Sequence, residues 1–80
     1  MQKINLNKIT EIEIEERFNT PRLDKMFWTI RNYSFNDIPS YEVKTILDRL
    51  GFDFSVSSGN GSGSIYVRDL KSENKWIFWY

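Results

Sequence analysis

Glu11, Glu13, Glu15 and Glu16 form the densest cluster of groups in this sequence that could do chemistry. Two carboxylates can divide the roles of general acid and base, or share a Mg²⁺ ion. Here no further ligand group is placed beside them by spacing, and alternate residues of an extended segment face solvent together. Such residues repeat at about 6.7 Å, near the spacing of phosphates along one nucleic-acid strand. Duplex DNA, however, carries a charge about every 1.7 Å of axis, so a few glutamates on a neutral chain copy it poorly. The expectation is a solvated strand face, with Glu11, Glu13 and Glu15 open to a protein partner.

The stretch Gly59-Asn-Gly-Ser-Gly63 invites a phosphate-binding reading. A phosphate loop needs its glycines between a strand and a helix, with a Lys-Ser/Thr pair or a helix N-terminus aimed at the phosphate. These glycines fall between two strand-like segments and no lysine follows them. Protein kinases do place a glycine loop between strands, but the rest of that apparatus cannot fit in 80 residues. A hairpin tip is expected, because glycine supplies the positive φ such turns need.

Histidine and cysteine are both absent. That removes imidazole acid–base chemistry, thiolate chemistry, disulfides and the usual zinc sites. A hydroxyl nucleophile would need a carboxylate or lysine as base, and no spacing sets such a pair side by side. No catalysis, cofactor or metal is expected. Eleven basic residues balance eleven acidic ones, six of each up to residue 40 and five of each beyond it. This weakens long-range attraction to nucleic acid or anionic membrane as the main device. The longest apolar run, Trp76 to Tyr80, is far short of a membrane span, and Met1–Lys8 lacks the apolar stretch of a signal peptide. One domain over residues 1–80, cytoplasmic in location, is the expectation.

Two compositional features need an explanation. Aromatic residues make up 16% of the chain, three of them Trp. Such side chains dominate both core and interface energetics. Alanine does not occur, while Ile, Asn and Lys are abundant. That bias resembles the codon preference of AT-rich genomes, common among phages and other mobile elements.

The elements that must position these groups follow from periodicity. Thr10–Phe18 alternates apolar and charged residues with a period of two, which predicts a half-buried strand with Ile12, Ile14 and Phe18 inward. Ile4 and Leu6 alternate too, so a short partner strand precedes it or the strand starts earlier. Thr20 and Pro21 read as the N-cap and first position of a helix. Leu23, Met26, Phe27, Ile30 and Tyr33 make its apolar stripe. Trp28 lies about 100° around from Phe27, off the centre of that stripe. Tyr33–Asn36 is expected to be a short connection. A second helix starts at an Asp37 or Ser40 cap, buries Val43, Ile46, Leu47 and Leu50, and ends at Gly51 with Phe52 folding back towards Leu47. Lys44 and Asp48 form a solvated i,i+4 pair on its outer face.

Strands are expected at Phe52–Ser57, Ser64–Leu70 and Lys75–Tyr80, the last two joined by the polar turn Lys71–Asn74. The fold class is therefore α+β, a two-layer sandwich of order β-α-α-β-β-β. Both helices cover one face of an antiparallel sheet that ends in a three-stranded meander. Trp76-Ile-Phe-Trp-Tyr80 is apolar on both faces. Either residues 3–8 or a loop folds over its second face, or that face meets another protein.

Residues 41–80 resemble the helix-then-three-strand module of small HicA-type RNase toxins, through Leu50-Gly-Phe, the Gly/Ser turn and the strand that follows. The resemblance implies a catalytic His, whose position is occupied here by Ser64. A winged-helix domain would use Ser40–Leu50 as recognition helix and Phe54–Leu70 as wing. Only one helix precedes, and the recognition helix has no net charge.

The expected function is a small non-catalytic protein-binding module. The composition suits a phage- or mobile-element inhibitor of a host enzyme or defence complex, an anti-CRISPR-like role. Its partner would be a host protein or complex, with homodimerisation open, nucleic acid the alternative and no membrane contact. Trp28, Arg31, Tyr66, Trp79, Tyr80, Glu11, Glu13 and Glu15 are the expected contact residues.

Overall fold

The computed structural model describes residues 1–36, 39–59 and 62–80. Asp37, one of the two expected helix caps, and Asn60 and Gly61 of the expected hairpin tip lie outside the described residues. The elements run β1 (Gln2–Asn5), α1 (Glu11–Arg17), α2 (Pro21–Asn36), α3 (Ser40–Leu50), β2 (Phe52–Gly59), β3 (Ser62–Asp69) and β4 (Lys75–Trp79). The α+β sandwich and its closing meander are present, with one helix more than expected.

That extra helix is the segment expected to be a strand. Thr10 is its N-cap: the Glu13 amide donates to Thr10 Oγ1 at 3.2 Å, and the Thr10 hydroxyl donates to the Glu13 carboxylate at 3.2 Å. Glu11 and Glu13 fall in the positively polarised first turn and Arg17 in the last turn, all of which favour the helix. The buried pair is then Ile14 and Phe18, four residues apart, while Ile12 is 68% exposed. The period-two pattern was an accident of glutamates interleaved with isoleucines, and glutamate's helix propensity prevailed. Thr10→Ala should cost about 1 kcal/mol, the ordinary worth of such a cap. A thermal melt identical to the parent's would contradict this role for Thr10.

α2 starts as expected, with the Leu23 amide donating to Thr20 Oγ1 at 3.2 Å. Met26, Phe27 and Ile30 are fully buried, with Leu23 and Tyr33 packed at the margin. The helix continues through Asn36, so Tyr33–Asn36 is its last turn and not a connection. α3 has Pro39 at its N-cap position with no side-chain cap, and Ser40 is its first residue. Proline suits that place because it lacks an amide hydrogen to leave unpaired. Val43 and Leu47 are fully buried, and Gly51 closes the helix at φ +87°, a left-handed geometry suited to glycine.

The sheet order is β1-β4-β3-β2. β2, β3 and β4 form the antiparallel meander, whereas β1 lies parallel to β4, with Ile4 opposite Phe78. The sheet is therefore mixed, because the three helices separate β1 from β4 and supply the crossover a parallel pair needs. Ile4, Phe52, Ile65, Val67, Trp76 and Phe78 are buried on one face against residues of all three helices. Residues 3–5 sit within the sheet as an edge strand and do not fold over its second face.

Candidate functional site

α1 and α2 line a groove with side chains that recur at steps of three and four along each helix. Glu11 and Glu15 are four residues apart on α1, and Asp24, Trp28 and Arg31 follow at steps of four and three on α2. With Ile9 and Ile14 they line a groove of about 420 Å³. Trp28 is 40% exposed, in keeping with its place off the apolar stripe. Its indole Nε1 donates to Asp24 Oδ1 at 3.1 Å, and its ring packs edge-on against Phe27 with centroids 5.4 Å apart. The Arg31 guanidinium stands 5.2 Å from the Trp28 ring centroid, within cation–π range.

These contacts fix the indole from two sides and leave it partly open to solvent. Glu11 and Glu15 make no ion pair among the described residues. The lining thus combines apolar Ile9, Ile14 and Trp28 with the carboxylates of Glu11, Glu15 and Asp24 and the Arg31 guanidinium. No three carboxylates among the described residues are grouped closely enough to hold a metal ion.

Four of the expected contact residues, Glu11, Glu15, Trp28 and Arg31, therefore come together. Glu13 does not join them. Its carboxylate accepts from the Thr10 cap and pairs with Arg17 at 3.8 Å, and it lines a different depression with Lys3 and Lys8. The helical geometry also removes the strand spacing on which phosphate mimicry by these glutamates depended.

Tyr66 and Trp79 lie on the opposite side of the molecule. Tyr66 faces Ile77 across the β3–β4 ladder and Ser64 faces Trp79, on the sheet face away from the helices. Trp79 is 45% exposed there. Tyr80 turns the other way, onto the helix-facing side, where it packs against the core. A Cβ on Gly63 would meet the Tyr80 ring, so glycine at that position gives the ring its seat. Gly63 is thus part of the sheet, and β2–β3 pairing extends to Gly59 opposite Ser62, further into the glycine stretch than expected.

Sequence reasoning overlooked the best-connected polar group, Arg22. Its guanidinium forks onto Asp69, with Nη1 donating to Oδ2 at 3.0 Å and Nη2 to Oδ1. It also donates to the Leu50 and Gly51 carbonyls and covers the Phe52 ring at 4.2 Å. Asp69 further accepts from the Lys71 amide and the Ser72 hydroxyl, both at 2.9 Å. The Arg22 hydrogen bonds, ahead of these two, hold the Asp69 carboxyl down to about 2, against the opposing effect of burial. One ion pair so joins the start of α2, the end of α3 and the turn after β3. Two local signals mark its members singly, though not their pairing. A cation in the first turn of a helix opposes the macrodipole, and an Asp two residues before an amide and three before a serine is a turn former.

Two helices precede α3, not the single one read from the sequence, and the β2–β3 hairpin follows it. The outer face of α3 still carries Glu42, Lys44, Asp48 and Arg49, with Lys44 bound to Asp48 at 3.4 Å. Among the described residues no helix is long and apolar enough to cross a membrane. Comparison of the chain with protein-family models, curated proteins and solved structures finds no match.

Proposed function

We propose that this protein is a non-catalytic binding module whose α1–α2 groove takes a basic segment of another protein. The observation that carries the reading is Trp28, a half-exposed indole held from two sides beside the carboxylates of Glu11 and Glu15, which make no ion pair among the described residues. Ordered aromatic rings are the usual anchors of protein interfaces, because they bring large contact area at little entropic cost. A Lys or Arg from the partner lays its aliphatic stem along the apolar lining and its charge beside the Glu11 and Glu15 carboxylates. By occupying a partner's basic surface in this way the module would block a host enzyme or defence complex. The amino-acid bias, without alanine and rich in Ile, Asn and Lys as in AT-rich genomes, suits a phage or mobile-element source.

The open sheet face favours a second reading, binding of a single-stranded nucleic acid. Tyr66 and Trp79 lie on adjacent strands, diagonal neighbours about 7–8 Å apart. Lys3, Arg68 and Lys75 stand on the same face, and Asp53, its one carboxylate among the described residues, pairs with Arg68 at 3.5 Å. Aromatic rings beside cations are a stacking platform for unpaired bases.

Capture of partners from source-host lysate, with and without nuclease, separates the two. Retention of a protein after nuclease treatment by the parent and by Trp79→Ala, with loss by Trp28→Ala and by the double variant Glu11→Lys/Glu15→Lys, supports the groove. A catch that disappears with nuclease and with Trp79→Ala but survives Trp28→Ala overturns it in favour of the sheet face.

A further inference from the structure

The two edges of the sheet are treated differently. The β1 edge is four residues long and carries Lys3, both of which discourage pairing with another chain. The β2 edge is eight residues, Phe52-Asp-Phe-Ser-Val-Ser-Ser-Gly59, with no Lys, Arg or Pro. Its register against β3 runs one-to-one from Phe52–Asp69 to Gly59–Ser62, so no bulge twists it away. Its single charge, Asp53, is engaged by Arg68 on the neighbouring strand. Val56 is 41% exposed on this strand. Native edges of this length are ordinarily guarded, and an unguarded one is a template for another strand.

We infer that β2 pairs antiparallel with β2 of a second copy, joining two four-stranded sheets into one of eight strands. The sequence of the edge selects this occupant, because it complements itself about a two-fold axis at Ser55. That register sets Phe54 of each copy opposite Val56 of the other, twice, on the helix-facing side. On the open side it sets Asp53 opposite Ser57, twice, and Ser55 opposite its own copy. Within Asp53–Ser57 apolar thus meets apolar, and neither carboxylate meets another charge. Residues directly opposite in an antiparallel pair share a face, so both layers of the sandwich continue across the junction. The groove between α1 and α2 takes no part, and the inference does not rest on the binding proposed for it.

The mass in solution and a cross-link test the inference together. Light scattering across a micromolar concentration series should show the parent approaching twice 9.6 kDa. Val56→Lys should stay at the monomer mass with an unchanged circular dichroism spectrum, whereas Trp28→Ala should still dimerise. Ser55→Cys places two thiols across the axis at about 4.5–5.5 Å between Cα atoms, within disulfide reach. The chain has no other cysteine. Oxidised glutathione should therefore link Ser55→Cys into a covalent dimer. Ser57→Cys, four residues from its own copy in this register, should remain unlinked. A parent monomeric throughout the series overturns the inference. So does a folded Val56→Lys that still dimerises, or linkage of Ser57→Cys in preference to Ser55→Cys.

Discussion

Arg22→Ala should destabilise the protein by about 3 kcal/mol, the lower end of what breaking a buried ion pair costs, since the guanidinium keeps some solvent contact. The loss has several sources. Asp69, almost fully buried, keeps its charge without its cation, and the Leu50 and Gly51 carbonyls lose a donor. The Phe52 ring loses the planar group that covers it. A pH series reads the same pair independently. Because the folded Asp69 carboxyl titrates at about 2, below its ordinary 3.8, its contribution is fully present above 3.8 and is lost as the pH falls through 2. A shift of that size corresponds to about 2 kcal/mol. Urea unfolding from pH 6 downwards should show the parent weakening over that acid range, and Arg22→Ala weakening less, from a lower start. Equal acid sensitivity in both would show that Arg22 is not what holds the carboxylate ionised.

Phe27→Ala should cost about 3–5 kcal/mol, the usual range for emptying an aromatic site in a core. Phe27 is fully buried and stacks on Phe18 with centroids 4.5 Å apart, while Phe78 lies at 6.0 Å. Its ring therefore ties α2 to the residue that ends α1 and to β4, one of the two inner strands. A domain of this size has about 4–12 kcal/mol in all, so the variant should be close to unfolding at room temperature. Phe27→Leu, which keeps most of the volume, should cost much less. Denaturant titration distinguishes them. A Phe27→Ala variant within about 1 kcal/mol of the parent would place the ring outside the core, since surface changes rarely exceed about 0.5 kcal/mol.

α2, α3 and the meander were legible in the sequence because their apolar spacing belongs to one period only. Leu23, Met26, Phe27 and Ile30 fit a helix and no strand, and Gly51 marks a helix end in chemical terms. α1 was not legible from spacing, since Ile12 and Ile14 satisfy an alternating pattern while Ile14 and Phe18 satisfy a helical one. The cap between Thr10 and Glu13 decides between them, and that signal is local chemistry. The parallel partnership of β1 with β4 depends on residues more than seventy positions apart, which no local pattern encodes.

For the site, exposure of Trp28 and Trp79 followed from their positions on helix and strand. The company each keeps did not. Glu11 and Glu15 share a groove with Trp28 only because α1 is a helix, so misreading that element hid the groove even though four of its lining residues were named. Arg22 and Asp69 are 47 residues apart, and only the packed fold brings them together.

The most direct measurement is the affinity of the captured protein partner, by isothermal titration, for the parent, Trp28→Ala and Trp79→Ala. If the groove is the binding surface, Trp28→Ala should weaken binding by more than about 2 kcal/mol, roughly 30-fold, as loss of an interface anchor does. Trp79→Ala should leave it within about threefold, the scale of a contact near neutral in energy. Unaltered affinity in a folded Trp28→Ala, with the loss appearing in Trp79→Ala instead, would contradict the groove and move the binding surface to the open sheet.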